Sequence, residues 1–85
     1  MNPRSLLARL QFNRNNVAFR DLERLAVALG FRLARTAGSH RIYVHTTHAG
    51  AQLNLQPSGR EAKPYQIKQL LQLVEEYHLT LDPSE

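Results

Sequence analysis

The sequence predicts a small α+β domain: a three-stranded antiparallel sheet with helices on one face, in the order α-β-β-β-α, behind a short N-terminal helix. Three observations point there. Apolar residues recur at helical spacing in two separate stretches, Leu22 to Leu29 and Ile67 to Tyr77. Between them, from Phe31 to Leu55, the period falls to two. The turns that divide this alternating region are too short for the crossover that a parallel pair would need.

Taken in order, Asn2-Pro3 reads as an N-cap and a first helical residue, and Leu6, Leu7 and Leu10 form a short apolar stripe that ends near Gln11. The polar run Asn13-Arg14-Asn15-Asn16 breaks it. A second helix runs from about Phe19 to Leu29, with Leu22, Leu25, Ala26 and Leu29 on one face and Gly30 as its stop. Three strands follow. Phe31 and Leu33, Ile42 and Val44, and Leu53 and Leu55 are expected on the face covered by helices. Arg32, Arg41, Tyr43, His45, Gln52, Asn54 and Gln56 are expected on the open face. The turns fall at Ala37-Gly38-Ser39 and Thr47-His48-Ala49-Gly50, and Pro57-Ser58-Gly59 ends the third strand. Pro64 suits the first turn of the last helix, whose stripe of Ile67, Leu70, Leu71, Val74 and Tyr77 extends to about His78. Residues 1–18 thus form a helical extension and connector, 19–81 the domain, and 82–85 a frayed tail.

Eighty-five residues suffice for one core and not for two. The absence of cysteine excludes a disulfide framework and a thiolate metal site. No apolar run approaches the roughly 18 residues of a membrane span, so a soluble protein of the cytoplasm is expected. The charge is uneven. Residues 1–60 carry nine arginines against Asp21 and Glu23, a net +7, whereas residues 61–85 carry Lys63 and Lys68 against five acids, a net −3. Arginine's planar fork suits bidentate contacts to phosphate, which makes a polyanion such as RNA a fitting partner.

The residue most suited to chemistry is His40. It stands where the turn Gly38-Ser39 runs into a strand, on a rigid element near the end of the sheet. Its side chain has an ordinary pKa of about 6.5, which lets it take or give a proton near neutrality. Cleaving RNA needs a base for the 2′-hydroxyl proton, positive charge for the phosphorane and an acid for the leaving oxygen. His40 fits the first role, Arg41 ahead of Arg35 the second, and Tyr43 or His45 a proton donor or a stacking surface. Strict alternation, however, places His40 on the covered face with Ile42 and Val44, unless a bulge or its position before regular pairing frees it. Under that alternation His40 is a hydrogen-bonded structural histidine. Lys63 and Lys68 flank the start of the last helix, where unpaired amides attract phosphate. His78 suits the C-terminal end of that helix. His40, His45 and His48 match no metal-ligand spacing, so neither metal nor cofactor is expected.

Laid end to end, the helix, the Leu29-Gly30-Phe31 step, Gly38-Ser39-His40-Arg41-Ile42-Tyr43 with His45 beyond it, Leu53-Asn54-Leu55 and Lys63-Pro64-Tyr65-Gln66-Ile67-Lys68 resemble the HicA family of toxins from Phe19 to about His78. The resemblance implies a double-stranded-RNA-binding-domain-like fold and metal-independent endoribonuclease cleavage of mRNA. It also implies one essential histidine after the turn glycine, here His40, and neutralisation by a HicB-type antitoxin. The RNA-binding residues would be Gly38, Ser39, Arg41, Tyr43, His45, Lys63 and Lys68. Two features depart from the pattern of the minimal members: the 18 residues before the first core helix, an extension that longer members also have, and Arg41 where a second histidine often stands. A non-catalytic RNA-binding module, or a protein-interaction subunit with a basic surface for an acidic partner, are the other readings of the same residues.

Overall fold

The computed structural model describes residues 1–83, and the last two residues of the expected tail lie outside that range. The elements are α1 (Pro3–Leu10), α2 (Phe19–Ala28), β1 (Phe31–Ala37), β2 (His40–His45), β3 (Gln52–Leu55) and α3 (Pro64–Tyr77). The sheet is antiparallel in the order β1-β2-β3, so the α-β-β-β-α arrangement behind a short first helix stands as the sequence predicts.

The helix ends follow local chemistry. Asn2 caps α1 by accepting the Ser5 amide at 2.8 Å, and Pro3 occupies the first turn, where its missing N–H costs nothing. Gly30, at φ 102°, ends α2 in a conformation that a Cβ disfavours. His78 ends α3 in the left-handed region, at φ 54°, so it closes the helix by backbone shape. Leu6 and Leu10 of α1, Leu22, Leu25, Ala26 and Leu29 around α2, and Ile67 and Leu70 of α3 share one core with Phe31, Leu53 and Leu55. The N-terminal helix is therefore packed into the core of the domain. The connector after α1 is also pinned, because Ala62 donates to the Val17 carbonyl at 2.8 Å and Phe19 to the Arg60 carbonyl at 2.9 Å. These two bonds clasp the entry of α2 to the loop that precedes α3.

The faces of the middle strand are the reverse of those expected. Tyr43 pairs with Leu53, Arg41 with Leu55, Ile42 with Asn54 and Val44 with Gln52. Cross-strand partners share a face, so Tyr43 and His45 go inward with the leucines, whereas His40, Ile42 and Val44 join Asn54 and Gln52 on the open side. A second irregularity sits in β1, where the register shifts between Leu33 and Arg35. The shift leaves Leu33 opposite Tyr43 but carries Arg35 to a place opposite Ile42, on the open face.

Candidate active site

His40 opens β2 immediately after a two-residue turn. Ala37 pairs with His40, and Gly38 between them has φ 61°, the sign that the first central position of a type II′ hairpin needs. The imidazole is exposed on the open face, and its Nδ1 lies 2.9 Å from Oδ1 of Asn54, one strand away. An amide oxygen only accepts, so Nδ1 carries the proton and donates it. In the neutral imidazole Nε2 is then the nitrogen that carries the lone pair, the arrangement that a general base requires. Ile42, directly opposite Asn54 and two residues from His40, forms the apolar floor beside this pair.

Positive charge reaches this face from β1, and a lysine stands at the same end of the sheet. Arg35, exposed and placed opposite Ile42, is diagonal to His40, and Arg32 lies further along opposite Val44. Lys63 is the N-cap residue of α3. The first turn of that helix is tied to the end of β3 by Gln66, whose buried amide donates to the Gln56 carbonyl at 2.9 Å. Leu55 pairs with Arg41, so Gln56 follows at the level of His40, and Lys63 belongs to the same end of the sheet.

Three residues expected beside His40 point elsewhere. Arg41 turns to the helix side, where its Nη1 donates to Glu23 Oε1 at 2.6 Å, and this bond and the carboxylate's charge hold its pKa above the ordinary value. Tyr43 is 4% exposed, and its hydroxyl donates to the other oxygen of Glu23 at 2.6 Å. Burial first, then that bond and the charge behind it, raise the phenol well above its usual pKa. His45 is 9% exposed; its Nε2 donates to the Leu29 carbonyl at 2.9 Å and its Nδ1 accepts from the Thr47 amide at 3.2 Å. Its ring also meets those of Phe31 and His48, and His48 in turn meets Tyr77. The outward placement of Arg41, Tyr43 and His45 is thus corrected: a register one residue away from the expected one sends each side chain through the sheet. The preference for Arg41 over Arg35 beside His40 reverses with it.

Gly38 and Ser39 are at the exposed tip next to His40, as expected. Lys68 is apart, in a groove beside α3 with Gln11 and Arg14. Among the described residues no three His, Cys, Asp or Glu side chains cluster, and His40 and His45 lie on opposite faces. Sequence reasoning missed two partners, Asn54 and Glu23. Asn54 had a signal, a lone amide in Leu53-Asn54-Leu55 one strand from the histidine, but only the register says that they meet.

The family model for the HicA toxin of bacterial toxin–antitoxin systems matches residues 19–75, from the first residue of α2 into the last turns of α3. The chain belongs to the HicA toxin family. No curated protein and no solved structure matches it. The HicA match takes in every element of the sheet and His40, and it leaves α1 outside although Leu6 and Leu10 are buried in the same core. Family membership gives the chain its role as the toxin of a toxin–antitoxin pair, and hence an antitoxin partner. No helix among the described residues is long and apolar enough to cross a membrane.

Proposed function

We propose that this HicA toxin is an endoribonuclease that cleaves mRNA with His40 as its single catalytic histidine, and that a HicB-type antitoxin neutralises it. The observation that carries the reading is the His40–Asn54 pair: an exposed imidazole held through Nδ1, with its Nε2 edge left for substrate, at the end of an open sheet face. In the first step Nε2 takes the proton of a ribose 2′-hydroxyl, the 2′-oxygen attacks the adjacent phosphorus, and the bond to the 5′-oxygen breaks. The leaving 5′-oxygen takes up a proton, which the imidazolium formed in the attack can return, and the products are a 2′,3′-cyclic phosphate and a 5′-hydroxyl. Arg35 and Lys63 offset the charge that grows on the phosphate oxygens. Asn54 positions His40 without touching substrate.

The test is cleavage of RNA by purified protein in EDTA, comparing wild type with His40→Ala. Cleavage is expected to disappear in the variant while its circular dichroism and melting temperature stay close to wild type, because the ring is exposed and makes one neutral hydrogen bond. Retained cleavage by the variant removes His40 from the mechanism. RNA binding without cleavage by the wild type supports a binding module instead, and complex formation with an acidic partner without any RNA affinity supports an interaction subunit.

A further inference from the structure

On the helix side of the same sheet end lies a groove of about 550 Å³ that the mechanism above does not use. It runs between the start of α2 and the loop after β3, and Phe19, Arg20, Glu23, Arg41, Pro57 and Arg60 line it. Glu23 is its one acid, and that carboxylate is spent on Arg41 and Tyr43. Arg20 and Arg60 are exposed and have no acidic partner among the described residues. The groove therefore carries uncompensated positive charge. Its wall is a flat cation. Arg41 has its guanidinium carbon 5.5 Å from the Phe19 ring centroid, so the cation lies over an aromatic ring while one of its nitrogens is fixed by Glu23. The side chain is still 43% exposed, which offers a planar surface held in place before any ligand arrives.

The groove also connects with the catalytic face. Arg41 is the residue after His40, and Pro57 follows Gln56, the residue at His40's level beyond β3. The Gly38-Ser39 turn and the start of the loop after β3 stand at that end of the sheet. We propose that this groove is a flanking-nucleotide subsite, in which an RNA strand cut at His40 continues around the sheet end, lays a base on the Arg41 guanidinium and places its phosphates against Arg20 and Arg60. This rests on the ribonuclease reading and extends the substrate contact to residues outside the open face. An acidic protein segment would find the same charge, but a carboxylate pairs with a guanidinium through its N–H edge, one part of which Glu23 already holds, and leaves the face of Arg41 unused. A single-stranded nucleotide chain uses both features.

The experiment measures binding of a fluorescein-labelled ten-nucleotide single-stranded RNA to His40→Ala protein, with and without Arg20→Gln and Arg60→Gln together. Both arginines are exposed, so the fold is expected to persist, and a melting curve checks it. Affinity is expected to fall about tenfold, and the slope of log K against log salt to become shallower by about 0.7 for each phosphate that the protein no longer neutralises. Arg41→Lys, which keeps the charge and loses the plane, is expected to weaken binding severalfold without changing that slope. With His40 present, the Arg20/Arg60 double variant should raise KM for the same RNA and leave kcat unchanged. Unchanged affinity and salt slope, in a protein whose wild type cleaves RNA, overturn the subsite and leave the ribonuclease intact. Wild-type protein that binds RNA through these arginines yet cleaves none ends the ribonuclease reading and leaves the groove as an RNA site. An Asp/Glu-rich peptide that needs Arg20 and Arg60 for binding, while the RNA does not, assigns the groove to a protein partner and overturns the proposal.

Discussion

Asn54→Ala is the most discriminating perturbation of the site, because it removes the group that sets the tautomer of His40 and leaves the imidazole itself in place. The bond is 2.9 Å long, an ordinary N–H···O distance, between two exposed side chains. A neutral bond of that kind is worth about 0.5–1.5 kcal/mol net, and exposure argues for the lower half of the range. If the bond acts in the transition state, that energy appears in the rate: about 1.4 kcal/mol corresponds to tenfold, so kcat should fall about two- to fivefold. KM should not move, since Asn54 makes no substrate contact in the proposed reaction. Asn54→Asp provides the complementary signature. A carboxylate at the same place favours the imidazolium, raises the pKa of the base and shifts the acid limb of the pH–rate profile to higher pH. The assay is initial-rate cleavage of a labelled RNA across about pH 5 to 9 by the three proteins, with melting curves as a control. An Asn54→Ala protein with wild-type kcat, together with an Asn54→Asp profile that coincides with wild type, would refute the positioning role and with it the argument that Nε2 is the base.

The remaining predictions concern the covered face. Gly30→Ala should destabilise by about 2–5 kcal/mol in urea unfolding, because a Cβ there stands 2.4 Å from His45 Nε2 and the backbone has φ +102°. A loss below about 1 kcal/mol would mean that His45 is not locked against Leu29 as described. Tyr43→Phe should cost about 1–2 kcal/mol at neutral pH by removing the bond to Glu23, and it should also flatten the alkaline arm of the stability curve. The folded-state phenol is raised above its usual value near 10, so wild-type stability is whole below that pH and declines as pH rises beyond it. Denaturant midpoints taken between about pH 8 and 11 check both parts; an equal alkaline decline in the two proteins would contradict them.

How much of this was legible in the sequence depends on what kind of signal each feature leaves. The helices carried theirs locally. Asn2-Pro3 is a cap, Gly30 is a stop, and Leu22, Leu25, Ala26 and Leu29 have the spacing of one buried stripe. The three strands were also recognisable, from alternation and from the Gly38-Ser39 turn. What the alternation of β2 could not say is which of its two faces goes inside. His-Arg-Ile-Tyr-Val-His offers aliphatic residues on one face and Tyr43 with His45 on the other, so hydrophobicity alone favours Ile42 and Val44 as the core. The choice is made by residues distant in sequence: Leu53 and Leu55 pair with Tyr43 and Arg41, and Glu23 on α2 waits for the hydroxyl and the guanidinium. A residue that is polar at its tip and apolar in its body is buried at little cost once that tip has a partner. The shift in β1 was equally silent, because nothing in Leu33-Ala34-Arg35 marks the extra residue that carries Arg35 to the open face.

This reversal also removes the one objection that the pattern raised against His40. Alternation ties His40 to Ile42 and Val44 whichever way β2 faces, so a histidine at the reactive surface requires those two aliphatics to be the outward pair. Two of the residues on the covered side, Tyr43 and Arg41, are satisfied by a single carboxylate, whose two oxygens each receive a bond of 2.6 Å. Glu23 therefore acts on the site through the sheet: by holding Arg41 and Tyr43 beneath, it favours the register that presents His40 above. The energetic stake is larger than either bond alone, because replacing Glu23 leaves a buried phenol without its acceptor and a guanidinium without its counter-charge. The same carboxylate steadies Arg41 against Phe19, so one acidic residue on α2 fixes both the face on which the base stands and the planar cation around the corner from it.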